Sequence, residues 1–288
     1  MKNGFMMLTK KYSQYKDSKV CIIPVPYEKT TTYLQGTEKG PEAIIKASHE
    51  LEWFDSELFQ VSFKQSGGIF TDELFPVDHK DPEDFISDLR NHIGKMLGDG
   101  KFPITLGGEH TIALAPFLAC FEKFKDCSVL HIDAHADLRS SYMGTKYNHA
   151  CVLRMIHQHT TRTVSVGIRS LNNKEFAYIQ EEGIPFYFNT DLNRGSLLFQ
   201  EISDKLGDNV YITLDLDVLD PSVMPAVGTP EPDGLRWREL LKLLKHILKT
   251  KNVVGIDIVE LKPSPELVYA DFTAAKLVYK IIGYKFCS

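Results

Sequence analysis

The sequence predicts an α/β protein in which helices cover both faces of a mostly parallel sheet. Three observations lead to this prediction. Apolar segments of strand length alternate with segments of helical spacing from Phe102 to the end of the chain. Several of the apolar segments are almost continuous, which is typical of strands buried on both faces. Polar side chains follow four of the strands, at the positions where sheets of this class bind ligands.

Short apolar segments bounded by turn residues predict the strands. In chain order they are 20–26, 102–106, 128–132, 163–167, 185–188, 210–214 and 253–258. The first of them, VCIIPVP, is apolar throughout. The third and the sixth change abruptly into acids and imidazoles, and this change marks where each strand ends.

Segments with helical spacing of apolar residues separate the strands. In chain order they are 41–51, 84–97, 111–121, 150–157, 174–182, 196–206, 237–248 and 270–282. Pro41 suits the first turn of its helix, and Gly98 follows the apolar periodicity of the next one. The segment 51–78 is mixed, and we make no prediction there.

The composition is that of an ordinary globular protein. The chain has 288 residues, of which 43% are hydrophobic and 25% are charged, and we predict a single domain over 1–288. The net charge is −5 without any basic cluster, so we expect no nucleic acid partner. We also expect no membrane segment, because no apolar run approaches the ~20 residues of a span. Five cysteines without a CxxC spacing indicate a reducing compartment, and we expect a cytoplasmic protein.

Two of the predicted strands end in acidic and imidazole side chains. Asp133, His135 and Asp137 alternate with small residues after the third strand, and alternate side chains of an extended segment point the same way. Asp215 and Asp217 have the same arrangement at the end of the sixth strand. Buried carboxylates side by side are unfavourable unless a cation lies between them, so both stretches predict a metal site.

Two further strand ends carry His110 and Glu260, and the carboxyl ends of parallel strands lie on one edge of a sheet. The candidate metal ligands are His110, Asp133, His135, Asp137, Asp215 and Asp217. This set contains imidazoles and carboxylates without thiolate, which favours Mn²⁺ or a similar ion over a structural zinc. Six side chains suit two ions that share carboxylates, and such a pair activates water for hydrolysis.

Several polar residues have simpler structural explanations. His110 follows two glycines and could cap a helix, and Asp220 precedes a proline, which suits a turn. His131 lies deeper in its strand, and we predict a satisfied core histidine that supports the site from behind. His157 and His159 have no acid beside them, so we predict an exposed helix end there rather than a metal site.

Four motifs together resemble the ureohydrolases, the family of arginase, agmatinase and formiminoglutamase. In chain order they are Gly-Gly-Glu-His at 107–110, Asp-Ala-His-Ala-Asp at 133–137, Asp-Leu-Asp-Val-Leu-Asp-Pro at 215–221 and Gly-Thr-Pro-Glu-Pro at 228–232. The resemblance extends from Pro24 to about Tyr279. It implies a single ureohydrolase domain with an arginase-like three-layer α/β/α fold and two Mn²⁺ ions.

The resemblance also implies a role for each site residue. One ion would be held by His110, Asp133, Asp137 and Asp215, and the other by Asp133, His135, Asp215 and Asp217. A hydroxide bridging the ions would attack the guanidinium carbon, with Asp137 as the proton carrier to the leaving amine. His149 matches the proton-shuttling histidine of the family. Glu260 matches the glutamate that pairs with the substrate guanidinium through two parallel hydrogen bonds, and Thr229 lies beside it.

Two departures from the arginases bear on the substrate. Glu109 stands where arginases usually have Asp, and we do not expect it to be a ligand. After Asp137 the chain continues with Leu and Arg, without the Asn that reads the amino-acid head in arginases. The loop has the agmatinase form, which favours agmatine. Ser141 and Asn148 are left as alternative contacts to a carboxylate.

The sequence therefore predicts a Mn²⁺-dependent agmatinase of polyamine biosynthesis that converts agmatine to putrescine and urea. A ureohydrolase acting on guanidinobutyrate or arginine stays open as an alternative. So do a metal-binding relative without activity and a deacetylase of the related zinc fold with one ion per chain. We expect a small guanidino substrate and a homo-oligomer, because members of the family often form trimers or hexamers.

Overall fold

Parallel strands form the centre of the protein. The computed structural model describes residues 4–287, with the backbone alone for 192–194 and 196. Its strands are β1 (Val20–Val25), β2 (Phe54–Asp55), β3 (Gln60–Val61), β4 (Ile69–Thr71), β5 (Phe102–Gly107), β6 (Cys127–Ile132), β7 (Thr163–Ile168), β8 (Phe186–Phe188), β9 (Asn209–Asp215) and β10 (Asn252–Val259). Eight of them form one sheet in the order β4-β1-β5-β10-β9-β6-β7-β8, and all its recorded pairings are parallel.

Helices cover both faces of this sheet. They are α1 (Gly40–Ala47), α2 (Ser62–Gln65), α3 (Pro82–Gly98), α4 (Leu114–Phe124), α5 (Val152–His157), α6 (Asn173–Glu182), α7 (Ser196–Lys205), α8 (Trp237–Thr250) and α9 (Val268–Phe286). Side chains of α1, α2, α7, α8 and α9 belong to one hydrophobic core, and side chains of α3 to α6 belong to a second. The predicted three-layer α/β/α architecture is confirmed.

The strands separate these two cores because successive side chains of a strand point to opposite faces. In β1, Ile22 lies in the first core and Ile23 in the second, and both are fully buried. Each central strand therefore needs apolar residues on both faces. This requirement explains why the predicted strands are continuous apolar runs rather than alternating ones.

Most of the predicted helices and strands are found within a few residues of their expected bounds. Two helices begin later than predicted, because 3₁₀ turns at His110–Ala113 and His149–Cys151 precede α4 and α5. The segment 51–78, whose sequence pattern is mixed, contains the β2–β3 hairpin, α2 and the edge strand β4. These strands have only two or three residues each, too few to show a periodicity. Within residues 4–287, no helix has both the length and the apolar character needed to cross a membrane.

A buried ion pair fixes the β2–β3 hairpin to α9. Lys280 binds Asp55 at 2.8 Å and Glu57 at 2.9 Å. The same oxygen of Asp55 accepts the amides of Glu57 and Leu58. Burial alone would raise the pKa of Asp55, but Lys280 and these amides outweigh it, and the pKa lies below its usual value. Lys280 is therefore the cation that permits Asp55 to be buried.

We expect Lys280→Met to lower the free energy of unfolding by about 3 kcal/mol at pH 7, because it leaves the Asp55 carboxylate buried without a cation. The pKa of Asp55 is lower in the folded protein than in the unfolded chain, where it is about 3.9. The ion pair with Lys280 therefore stabilises the fold fully above the unfolded pKa. This stabilisation is lost as the pH falls through the folded pKa. Urea denaturation at pH 7 and pH 3 measures both effects. Lys276→Met, on the same helix, is the control. Equal losses in the two variants at pH 7 would contradict this role of Lys280.

Candidate metal centre and substrate cavity

The predicted site residues lie at the carboxyl ends of four neighbouring strands. In the sheet, β5, β10, β9 and β6 are adjacent in this order. His110 follows β5, Glu260 follows β10, Asp215 ends β9 and Asp133 follows β6. Because the strands are parallel, these ends form one continuous edge. The fold therefore brings together residues that are far apart in the chain.

His110 is surrounded by three carboxylates. Its Nδ1 lies 3.1 Å from Asp133 Oδ2, 3.1 Å from Asp137 Oδ2 and 3.5 Å from Asp215 Oδ2. The alignment does not suit hydrogen bonds, and this buried nitrogen has no hydrogen-bond partner among the described residues. A buried nitrogen without a partner is rare, and one that faces three carboxylate oxygens fits a metal ligand.

His135 forms a second group with Asp217 and Asp133. Its Nδ1 lies 2.9 Å from Asp217 Oδ2 and 3.6 Å from Asp133 Oδ1. Asp133 thus directs one oxygen to each histidine. Two groups of side chains could each hold a metal ion, because the ligand atoms within a group all lie within 4.8 Å of one another. Asp133 belongs to both groups. All six predicted ligands are brought together, and the arrangement suits metal ions that share a carboxylate.

The buried carboxylates of the cluster need a compensating positive charge. Burial and the neighbouring Asp217 raise the pKa of Asp215 well above its ordinary value. Burial alone would lower the pKa of His110, but Asp133 and Asp137 raise it well above normal. Both shifts favour the protonated form of the residue, whereas a bound cation would favour the deprotonated ligand. Cation binding at such a site releases protons.

A chain of hydrogen bonds behind His110 fixes its tautomer. Thr213 donates its hydroxyl hydrogen to Asp257 at 2.9 Å, so its oxygen accepts the hydrogen of His110 Nε2 at 2.7 Å. In the neutral ring, the form that binds a metal ion, the lone pair of His110 is then on Nδ1, the nitrogen that faces the carboxylates. His131 contacts Asp133 at 2.9 Å and Ser165 at 3.2 Å, and it supports the cluster from behind as predicted.

Arg169 is a site residue that the sequence analysis missed. It donates to five backbone carbonyls, those of Gly167, Asp217, Val218, Glu231 and Pro232. These bonds attach the segment that carries Asp217 to the segment that follows Thr229. Arg169 comes directly after β7, so the strand-end argument, applied to one more strand, would have found it.

A cavity of about 300 Å³ opens over the cluster. Besides the predicted ligands His110, His135, Asp137, Asp215 and Asp217, its walls include His149, Thr229 and Glu260. Glu260 Oε1 accepts the amide of His110 at 2.7 Å, and Thr229 donates to Asp217 at 3.2 Å. The residues that the sequence assigned to the substrate therefore share one cavity with the candidate ligands.

Backbone strain marks two of these residues. Asp137 has a φ of 51° and Glu260 has a φ of 67°, in the left-handed region that favours glycine. This conformation costs roughly 1 kcal/mol or more for a residue with a side chain. Such strain is concentrated at functional sites, and here it occurs at two strand ends that line the cavity.

The outer wall of the cavity carries Arg139, Tyr142 and Glu175. The Arg139 guanidinium lies 4.2 Å above the Tyr142 ring, and its Nε is 4.0 Å from Glu175 Oε2. Among the described residues, neither Ser141 nor Asn148 lines the cavity. Asn148 Oδ1 instead accepts the amide of the second residue after it. The two alternative carboxylate contacts left by the sequence analysis thus lie outside the cavity wall.

Two histidines outside the cluster differ in their surroundings. Burial, followed by the charges of His110 and His135, lowers the pKa of His149 to about 4, so its ring is neutral at pH 7. His157 is buried, and its Nδ1 lies 3.0 Å from Thr163 Oγ1. The prediction of an exposed helix end was therefore wrong for His157, because its ring contacts Thr163 at the start of β7 and Tyr178 in α6.

The fold and the site define a protein of the α/β class with a buried histidine–aspartate cluster that could hold metal ions. The arginase family model matches residues 18–283. An N(1)-aminopropylagmatine ureohydrolase of Synechocystis sp. is 36% identical over 278 residues, which are 94% of this chain and 90% of that protein. An agmatinase of Pyrococcus horikoshii is 32% identical over 93% of this chain and 92% of its own. The agmatine ureohydrolase structure of Thermoplasma volcanium has a TM-score of 0.84 and 31% identity over 96% of this chain and 95% of its own. The chain belongs to the arginase family, the ureohydrolases.

Proposed function

We propose that this protein is a Mn²⁺-dependent agmatinase, a single catalytic domain over 1–288 that hydrolyses agmatine to putrescine and urea. The observation that carries the proposal is the cavity that joins the histidine–aspartate cluster to Glu260 and His149. Relatives named agmatinase and N(1)-aminopropylagmatine ureohydrolase support a guanidino substrate with a basic tail. A cytoplasmic location, a role in polyamine biosynthesis and a trimer or hexamer stay predictions from the sequence.

In this proposal two Mn²⁺ ions would be held, one by His110, Asp133, Asp137 and Asp215 and the other by Asp133, His135, Asp215 and Asp217. The partnerless Nδ1 of His110 and the two-sided position of Asp133 support this assignment. Carboxylates and imidazoles without thiolate favour manganese over a structural zinc. When bound, a metal pair makes water acidic enough to serve as the nucleophile at neutral pH.

The chain's own residues orient the substrate and move its protons. One oxygen of Glu260 is held by the amide of His110, so its carboxylate is fixed in the cavity wall to receive a planar guanidinium. Thr229 lies beside this position. Asp137 is the proton carrier to the leaving amine, and the neutral ring of His149 exchanges protons at the cavity.

The outer wall supports an amine rather than a carboxylate at the far end of the substrate. Arg139 is the cationic side chain in this wall that could bind a substrate carboxylate. Its charge is already compensated by Glu175 and by the face of the Tyr142 ring. Ser141 and Asn148 lie outside the cavity wall among the described residues. Agmatine, which has no carboxylate, meets these conditions better than arginine or guanidinobutyrate.

N(1)-aminopropylagmatine is a second candidate substrate. The observation that favours it is the 36% identity to a relative named for this activity. Its guanidinium would be bound in the same way, and its longer tail would extend past Tyr33, which lines the cavity and is 70% exposed. The chemistry at the metal centre is the same for both substrates.

Urea release from manganese-loaded protein tests the proposal with four substrates in parallel: agmatine, N(1)-aminopropylagmatine, arginine and guanidinobutyrate. We expect kcat/KM to be highest for agmatine. A higher value for N(1)-aminopropylagmatine would select the second candidate. A higher value for arginine or guanidinobutyrate would contradict our interpretation of the outer wall, and no urea from any of them would refute the proposed chemistry.

His149→Asn is expected to lower kcat about 10²-fold, the lower end of what a positioned acid–base group contributes. Manganese content should stay near that of the unaltered protein, because His149 is not a ligand in this proposal. Steady-state urea release together with metal analysis measures both. His159→Asn, at an exposed position just after α5, is the control. Loss of bound manganese in His149→Asn would refute its assignment as a proton shuttle.

A further inference from the structure

His149 is connected to Glu109 through the hydroxyl of Thr30. Thr30 Oγ1 lies 3.1 Å from His149 Nδ1 and donates to Glu109 Oε1 at 2.7 Å. The backbone amide of His149 also donates to Thr30 Oγ1, at 3.2 Å. Neither Thr30 nor Glu109 is a candidate ligand, and the proposed function leaves both without a role.

The hydrogen-bonding capacity of the Thr30 hydroxyl determines the direction of this connection. A hydroxyl has one hydrogen to donate and two lone pairs to accept with. The hydrogen goes to Glu109, and the amide of His149 occupies one lone pair. The remaining lone pair can only accept a hydrogen, so Nδ1 of His149 must carry it. The lone pair of the ring is then on Nε2.

Glu109 is a fixed acceptor at the other end of the connection. It is fully buried, and its Oε2 accepts the amides of Lys29 at 2.7 Å and Thr30 at 2.6 Å. Its Oε1 accepts the hydroxyl of Thr111 at 2.6 Å as well as that of Thr30. Rotating this carboxylate would break these bonds together. Oε1 therefore remains directed at Thr30, and Glu109 determines the direction in which the hydrogen bonds from His149 through Thr30 are donated.

The other nitrogen of the ring is left for the cavity. Within the described part of the chain, Nε2 of His149 has no hydrogen-bond partner, although the ring is part of the cavity wall. A histidine that shuttles protons needs its basic nitrogen free on the substrate side and its other nitrogen held by an acceptor. The His149–Thr30–Glu109 chain provides this arrangement.

We propose that Thr30 and Glu109 are positioning residues that hold His149 in the tautomer with its proton on Nδ1 and its basic Nε2 towards the cavity. When Nε2 takes up a proton as a base, Nδ1 keeps its hydrogen bond to Thr30, and the same proton leaves from Nε2 when the ring acts as an acid. The catalytic part of this inference rests on the proposed function. The tautomer is a property of the folded chain and is testable without turnover.

Nitrogen NMR of the full chain with ¹⁵N-labelled histidine measures the tautomer directly. Spectra are recorded at pH 7 before manganese is added, because Mn²⁺ broadens the signals, and the His149→Asn spectrum assigns the signal of His149. We expect the proton on Nδ1. In Glu109→Gln, the amide group donates to Thr30, whose hydrogen then turns to Nδ1, so we expect the proton to move to Nε2. A proton on Nε2 in the unaltered protein would overturn the proposal.

Turnover of the manganese-loaded protein tests the positioning role. We expect Thr30→Val to lower kcat about 10-fold or more with KM and manganese content unchanged, and Thr30→Ser, which keeps the hydroxyl, to restore it. In the His149→Asn background, Thr30→Val should cause no further loss, because it acts through His149. An equal loss in both backgrounds, or no recovery in Thr30→Ser, would overturn the positioning role.

The two proposals fail in different ways. If the unaltered protein released no urea from any guanidino substrate, the proposed function would be refuted, while the NMR result would still decide the tautomer. If the protein hydrolysed agmatine but the tautomer were the opposite one, the function would stand and the positioning of His149 would be refuted. Thermal melts of the variants identify any that fail to fold, and in that case the tautomer of the unaltered protein decides the proposal.

Discussion

Asp215→Asn is expected to reduce manganese-dependent urea release by roughly 10³-fold or more, which corresponds to about 4 kcal/mol of lost transition-state stabilisation. The change is isosteric. The amide of Asp217 donates to Asp215 Oδ1 at 2.8 Å, and an asparagine oxygen can still accept it. What is lost is the negative charge 3.5 Å from His110 Nδ1. Metal analysis should therefore show less bound manganese.

Stability separates this effect from simple unfolding. Burial raises the pKa of Asp215 well above its ordinary value, which means that the ionised carboxylate is unfavourable in the metal-free protein. The metal-free variant should therefore melt at no lower temperature than the unaltered metal-free protein. Asp220→Asn is a matched control, because Asp220 accepts the amide of Ser222 in a turn outside the cavity. Full activity of Asp215→Asn would refute the ligand assignment.

Glu260→Gln is expected to lower kcat/KM for agmatine by about 10²- to 10³-fold, because the charged partner of the guanidinium becomes neutral. Gln retains an oxygen that can accept the amide of His110, so the strand end should keep its geometry. Glu260 is not one of the proposed ligands, and bound manganese should be unchanged. Steady-state kinetics and metal analysis on the same preparation measure the two effects together.

The two substitutions have opposite expected signatures. Asp215→Asn loses metal and turnover together, whereas Glu260→Gln keeps the metal and loses the substrate interaction. If Glu260→Gln also lost manganese, Glu260 would belong to the metal centre. If it kept full kcat/KM, another group would have to bind the guanidinium. Either result would change the assignment of roles in the cavity.

The general position of the site could be predicted from the sequence because its acidic and imidazole side chains stand at the ends of predicted strands. His110, Asp133, Asp215 and Glu260 each follow or end an apolar run, and parallel strands end on one edge. Which strands are neighbours was not predictable, since β5, β10, β9 and β6 are adjacent in an order unlike that of the chain. The distances between these residues therefore required the fold.

The supporting contacts were not predictable, because they join loops that have no periodicity. Thr30 and His149 are 119 residues apart in the chain, and nothing in the sequence around them indicates that they meet. The carbonyls that Arg169 binds are backbone atoms, which carry no sequence signal at all. His157 was predicted to lie at an exposed helix end because no acid stands beside it, whereas it is buried and contacts Thr163 and Tyr178. In each case a tertiary contact decides the environment.

Urea release from agmatine, measured as a function of bound Mn²⁺ per chain, tests the central claim most directly. Our account predicts no turnover in the metal-free protein and a rise to a plateau at two ions per chain. A plateau at one ion per chain would contradict the shared-carboxylate centre, and no urea at any manganese content would contradict the proposed function.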